Sequence, residues 1–222
     1  DVVFAEGAIS TAEQVAQIQE LRRQARFLVT IGACATAGGI QALRNWADHD
    51  EFRAAVYEHP EYVESLERAT PISEHVHVDA ELRGCPIDPG QLLELMTAVV
   101  VGRRPQIRDE AVCRECKRRG FVCVAVAKGE ACLGPVTQSG CGALCPAYAR
   151  GCYSCFGPRR QANAAGWSRA LLSQGRPPEE VWRIFAGFTS YAEPYRPVVT
   201  ELGSQSERRA GSTHFRVEVP TS

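Results

Sequence analysis

Eight cysteines fall within 43 residues, at Cys113, Cys116, Cys123, Cys132, Cys141, Cys145, Cys152 and Cys155. Two pairs have C-x-x-C spacing, Cys113 with Cys116 and Cys152 with Cys155, and Cys145 precedes Pro146. The segment 113–158 also holds ten Gly and Pro residues and shows no sustained apolar period. Bound metal, rather than a hydrophobic core, is expected to hold such a stretch together. Three readings compete. A disulfide framework suits a small secreted domain, whereas a chain of 222 residues can bury a proper core, and this one shows no signal peptide. Zinc ribbons place their C-x-x-C pairs about 15–20 residues apart, but 35 residues separate Cys116 from Cys152. Iron–sulfur clusters take four thiolates each, commonly with C-x-x-C and C-P elements. The spacing favours iron–sulfur over zinc and zinc over disulfides. Eight thiols make two sets of four, and the remaining two cysteines, Cys34 and Cys85, are half of a third.

The rest of the composition narrows the class. Apolar residues make up 45% and charged residues 23%, close to globular averages and unlike disordered or fibrous chains. The net charge of −1 supplies no basic field for nucleic acid. The longest mostly apolar run, Leu95 to Val101, has seven residues, far short of the roughly 20 of a membrane helix.

The first hundred residues alternate strand and helix signals. Val2 to Ala5 reads as a short buried strand. Ser10 with Glu13 forms a capping-box pattern, opening a helix with Val15, Ile18, Leu21 and Ala25 on one face. Phe27 to Ile31 reads as a second strand, Gly39 to Ala47 as helical, and Val76 to Val78 as a third strand. Asp88 then caps a helix with Pro89 at its first position and Gly102 beyond its end. This rhythm predicts a parallel, doubly wound α/β sheet, in which ligands sit outside the carboxyl ends of the strands. Cys34 and Cys85 each follow a strand closely, so one edge is expected to present both. Helices are expected around Gln161 to Ser173 and from Pro177-Pro178 to about Phe188, and the polar tail from Gly203 is expected to be loosely held.

The motifs GACATAGGI around Cys34, the GCP turn at Cys85, and CLGPVTQSGCGALCP followed by GCYSCFGP resemble the small subunit of [NiFe] hydrogenases. The resemblance runs from about residue 1 to 160 and is to the soluble group that includes the sulfhydrogenase delta subunit, within the superfamily of the NADH:quinone oxidoreductase 20 kDa subunit. It implies a flavodoxin-like parallel sheet domain over 1–105. An irregular iron–sulfur cluster domain with C-terminal helices would follow over 106–222. It also implies three [4Fe–4S] clusters. Carried over by motif, Cys34 and Cys85 resemble the two later ligands of the proximal cluster. Cys113, Cys116, Cys123 and Cys132 resemble the distal set, and Cys141, Cys145, Cys152 and Cys155 the medial set. The family's other two proximal ligands come from a C-x-x-C after its first strand, which is expected to precede Asp1. The implied function is electron relay from hydrogen oxidation on a separate [NiFe] large subunit to flavin and iron–sulfur NAD(P)-reducing subunits. The implied setting is a cytoplasmic hetero-oligomer with no membrane span.

Other candidates carry less. His75 and His77 alternate as on a solvated strand face, without a nearby third ligand. Lys117, Arg118 and Arg119 read either as a solvated turn or as a docking patch for an acidic redox partner. Glu6 follows a strand on the edge of Cys34 and resembles a family glutamate near the proximal cluster. No P-loop, G-x-G-x-x-G fingerprint or Ser-His-Asp order appears. Two alternatives stand beside the relay. One is a quinone-reductase-type subunit, which keeps only the proximal cluster. The other is a zinc-stabilised scaffold with no redox role.

Overall fold

The computed structural model describes residues 1–210. Strands β1 (Val2–Glu6), β2 (Phe27–Ile31) and β3 (Ala80–Leu82) form a parallel sheet in the order β1-β2-β3. Helix α1 (Ala12–Gln24) makes the crossover from β1 to β2. β2 is the central strand, and its Leu28 and Val29 are fully buried, as a strand covered on both faces requires. One face packs Ile9, Ile18, Leu28 and Ile72 together, and the other packs Val29 and Leu82 against Leu95. Leu95 belongs to α4 (Pro89–Val100), which Asp88 caps by accepting from the Gln91 N–H.

Several local expectations shift by a residue or more. The capping box of α1 is built by Thr11 and Gln14, not Ser10 and Glu13. Ser10 serves it instead, donating its N–H to the Gln14 side chain at 2.7 Å. Leu21 is exposed rather than buried on the α1 face. The segment Gly39–Trp46 is a 3-10 helix, followed by α3 (His49–Val56). The third strand is Ala80–Leu82, not Val76 to Val78. The Val76 N–H closes a turn onto the Ile72 carbonyl, and both valines pack sideways on the core around Ile18 and Leu28. Pairing starts at Asp79, whose N–H donates to Leu28 O at 2.9 Å while its carboxylate accepts from Leu28 N–H at 2.7 Å.

Beyond the sheet, short helices α5 (Val112–Arg118), α6 (Val124–Ala127) and α7 (Leu144–Ala147) interrupt loops. Helices α8 (Ala164–Ser173), α9 (Pro178–Phe185) and α10 (Arg196–Ala210) close the described chain. Their core joins Leu171, Val181, Phe185, Tyr195, Val199 and Leu202 with Leu133 and Val136 from the cysteine-rich loops. Phe185 and Tyr195 meet edge to face, ring centres 5.4 Å apart, a favoured aromatic geometry. The helix α10 takes in residues 203–210 of the polar tail, and the remainder of that tail, 211–222, lies outside the described residues. Among the described residues no helix is long and apolar enough to cross a membrane.

Candidate metal centres

Cys34 sits in the first turn of α2 (Gly32–Ala37), directly after β2, and Cys85 sits three residues after the end of β3. The Ala33 N–H donates to Gly84 O at 2.9 Å, tying the two turns together at the carboxyl edge of the sheet. Close approach fixes Gly39 there: at φ 58°, a Cβ would stand 2.4 Å from Cys34 Sγ. Glu6 ends β1 on the same edge, opposite Ile31, and is exposed.

Cys113 and Cys116 lie on α5, Cys123 immediately precedes α6, and Cys132 is buried in the loop beyond. Burial first, then the neighbouring thiols of Cys132, Cys116 and Cys123, pushes the Cys113 thiol up to about 11. Burial, then Cys132 and Cys123, also raises Cys116. These four cysteines therefore share one neighbourhood. Gly134 leaves room within it: a Cβ there would lie 3.3 Å from Cys132 Sγ and 3.4 Å from Cys113 Sγ.

A second neighbourhood holds Cys141, Cys145 and Cys155. Burial pushes Cys155 up to about 11, with Cys141 and Cys145 adding to it and Cys85 acting on it as well. The second neighbourhood thus lies within electrostatic reach of Cys85 at the sheet edge. Cys152 lies on the seam between the two sets. Its N–H donates to Cys132 Sγ at 3.2 Å, its carbonyl accepts from the Leu133 N–H, and its thiol, raised chiefly by burial, faces both Cys132 and Cys141.

The donor set is chemically suited to iron–sulfur clusters. All the gathered ligands are soft sulfur, and backbone N–H groups are aimed at them: Gly134 and Cys152 at Cys132, and Ser154 at Cys152. Such hydrogen bonds to sulfur tune cluster potentials. Among the described residues no three His, Cys, Asp or Glu side chains converge as a single-ion site requires. A [4Fe–4S] cluster needs no such convergence, because each of its four thiolates binds a different iron.

Sequence patterns missed several residues that organise this region. Glu115, between Cys113 and Cys116, accepts from the N–H groups of Gly140, Gly142 and Ala143. Trp167 Nε1 donates to Cys132 O at 2.9 Å. Gly151 has no room for a side chain, since a Cβ would meet Ala131 O at 1.7 Å. The available signal was a lone carboxylate placed between two thiols, an unfavourable position unless that carboxylate has other work. His75 and His77 stand outside any strand. His75 shares a hydrogen bond with Thr70 at 2.7 Å, and His77 is exposed beside Asp79. Of the basic run, Arg118 pairs with Glu110, and Arg119 donates to Gly142 O and lies over the Phe121 ring. Lys117 is exposed and has no ion pair among the described residues.

Residues 1–99 match the family of the NADH ubiquinone oxidoreductase 20 kDa subunit. The chain is 32% identical over 191 residues to sulfhydrogenase 2 subunit delta of Pyrococcus furiosus, covering 86% of this chain and 79% of that one. It is also 32% identical over 200 residues to a subunit of the F420-non-reducing hydrogenase of Methanothermobacter thermautotrophicus, covering 75% of this chain and 65% of that one. In fold it is similar to a chain of the actinobacterial-type NiFe-hydrogenase from Ralstonia eutropha H16, with a TM-score of 0.50, 16% identity, and coverage of 99% of this chain and 73% of that one. The chain belongs to the family of hydrogenase small subunits that includes sulfhydrogenase delta, and so to the subunits of oxidoreductase complexes.

Proposed function

We propose that this chain relays electrons between a [NiFe] catalytic subunit and a flavin and NAD(P) module in the cytoplasm, through three [4Fe–4S] clusters. The observation that carries this reading is the unbroken order of thiol neighbourhoods. Cys85 of the sheet edge lies near Cys155, Cys155 stands with Cys141 and Cys145, and the Cys152 N–H on their border donates to Cys132 of the outer set. In this reading Cys34 and Cys85 hold part of the proximal cluster. Cys141, Cys145, Cys152 and Cys155 hold the medial one, and Cys113, Cys116, Cys123 and Cys132 the distal one. The sheet domain (1–105) faces the catalytic subunit, and the cluster domain (106–222) faces the electron acceptor. When bound, the clusters supply one-electron transfer. The chain's own part is to hold the sulfurs, aim N–H groups at them and exclude water from Cys132 and Cys152, both buried.

The outer set offers an exit. Cys123 is exposed, and beside it lies a groove of about 270 Å³ lined by Phe121, Val122, Val124, Pro146 and Ala147, with Lys128 at its side. Val122 and Val126 are exposed. An apolar groove with exposed Lys117 and Lys128 suits an acidic partner, whose association would weaken with salt. Cys113→Ser in the assembled complex tests the direction of flow. Hydrogen-driven reduction of the nicotinamide acceptor is expected to fall sharply while hydrogen–deuterium exchange persists. Loss of isotope exchange in an assembled, nickel-loaded complex would place this set beside the catalytic centre and reverse the order.

A further inference from the structure

Glu115 joins the two cysteine neighbourhoods of the cluster segment. Its backbone belongs to α5, between Cys113 and Cys116, while its carboxylate reaches the loop that carries Cys141. Oε1 accepts from Gly140 N–H at 3.0 Å and Gly142 N–H at 3.3 Å, and Oε2 accepts from Ala143 N–H at 3.1 Å. The loop is bent to allow this. Gly140, Gly142 and Ala143 have φ of 149°, 65° and 55°, and Ala143 holds its positive φ without the freedom of glycine. Successive N–H groups turned inward in this way make an anion-binding nest, here filled by the chain's own carboxylate. Both oxygens act only as acceptors, the role of the ionised form. No Lys or Arg pairs with Glu115 among the described residues. The carboxylate is thus held between the helix that carries Cys113 and Cys116 and the loop that carries Cys141.

We infer that Glu115 is a positioning residue that fixes the Cys141 loop against α5 and lowers the reduction potentials of both clusters of the segment together. The inference rests on the iron–sulfur reading above. A negative charge held between two redox centres disfavours adding an electron to either one, and net charge is among the determinants of cluster potential. A residue with a purely structural role would loosen the loop without moving both potentials in the same direction.

The test uses the intact complex with Glu115→Gln and Glu115→Asp, measuring acid-labile sulfide first and then both midpoint potentials by redox titration followed by electron paramagnetic resonance. Glu115→Gln keeps an acceptor oxygen but removes the charge, so both potentials are expected to shift positive at unchanged cluster content. Glu115→Asp keeps the charge and is expected to leave both potentials near the wild-type values. Unmoved potentials in Glu115→Gln, or a shift in one cluster alone, overturn the inference. If Glu115→Gln loses its clusters, Glu115→Asp decides. Retention of both clusters at wild-type potentials supports the role of charge, and loss of the clusters there too overturns it. A wild-type complex without acid-labile sulfide overturns the iron–sulfur reading itself, which separates the two failures.

Discussion

The backbone N–H of Cys152 donates to Cys132 Sγ at 3.2 Å, so a residue of one proposed ligand set is bonded directly to a sulfur of the other. This contact exists because the chain at Gly151 lies against the chain at Ala131. The Leu133 N–H bond to Cys152 O, 3.0 Å long, closes the same junction from the other side.

Gly151→Ala is therefore expected to disrupt the cluster segment. The added Cβ would stand 1.7 Å from a backbone oxygen, which cannot rotate away as a side chain can. Overpacking of this kind costs about 1–3 kcal/mol or more. Here it should also separate Cys152 from Cys132. Iron and sulfide content should fall in the variant while the catalytic subunit keeps its nickel, and normal loading would show that the junction tolerates separation.

Tyr195→Phe tests the anchoring of the cluster loops to the C-terminal helices. The Tyr195 hydroxyl is fully buried, shares a 2.8 Å hydrogen bond with Ser154 Oγ and donates to Val136 O at 3.3 Å. Both partners belong to the cysteine-rich loops. Removing the hydroxyl strands buried polar groups at a cost of about 1–3 kcal/mol. The thermal midpoint should drop by several degrees with cluster content intact. An unchanged midpoint would mean that the loops are held by their clusters alone.

The metal-free chain should lose stability on the alkaline side. Burial, then neighbouring thiols, pushes Cys113 and Cys155 each up to about 11, whereas an unfolded cysteine ionises near about 8.5. Between these values the unfolded chain has shed protons that the folded chain still holds. The stabilisation is therefore complete below about pH 8.5 and is lost as the pH rises towards about 11. Iodoacetamide labelling followed by mass spectrometry should find Cys123 reacting before Cys113 and Cys155 at pH 8, with the gap narrowing by pH 10. Equal labelling rates at pH 8 would contradict the half-buried placement of Cys113 and Cys155 beside an exposed Cys123.

Much of this architecture is legible in the sequence where the signal is local. The Asp88 cap, Pro89 at the helix start and the apolar run of β2 all depend on neighbours within a few residues, and each forms where expected. The β3 boundary depended on a contact across 51 residues, Asp79 to Leu28, which strand patterns cannot register. The same limit applies at the candidate site. The family resemblance groups Cys113, Cys116, Cys123 and Cys132, but the seam position of Cys152 comes from a contact 20 residues back along the chain. Glu115 likewise acts through a loop 25 to 28 residues away, so the pair of residues between Cys113 and Cys116 gives no hint of what its carboxylate binds.

Iron and acid-labile sulfide per chain, measured in the intact complex, bear most directly on a three-cluster relay. With two further thiolates completing the Cys34–Cys85 site, about twelve irons and about twelve sulfides are expected, at four of each per cluster. Dithionite should bleach the visible absorption of such a protein. A content near eight would leave only two clusters and contradict the relay, and zinc without acid-labile sulfide would contradict any electron-transfer role for these ten cysteines.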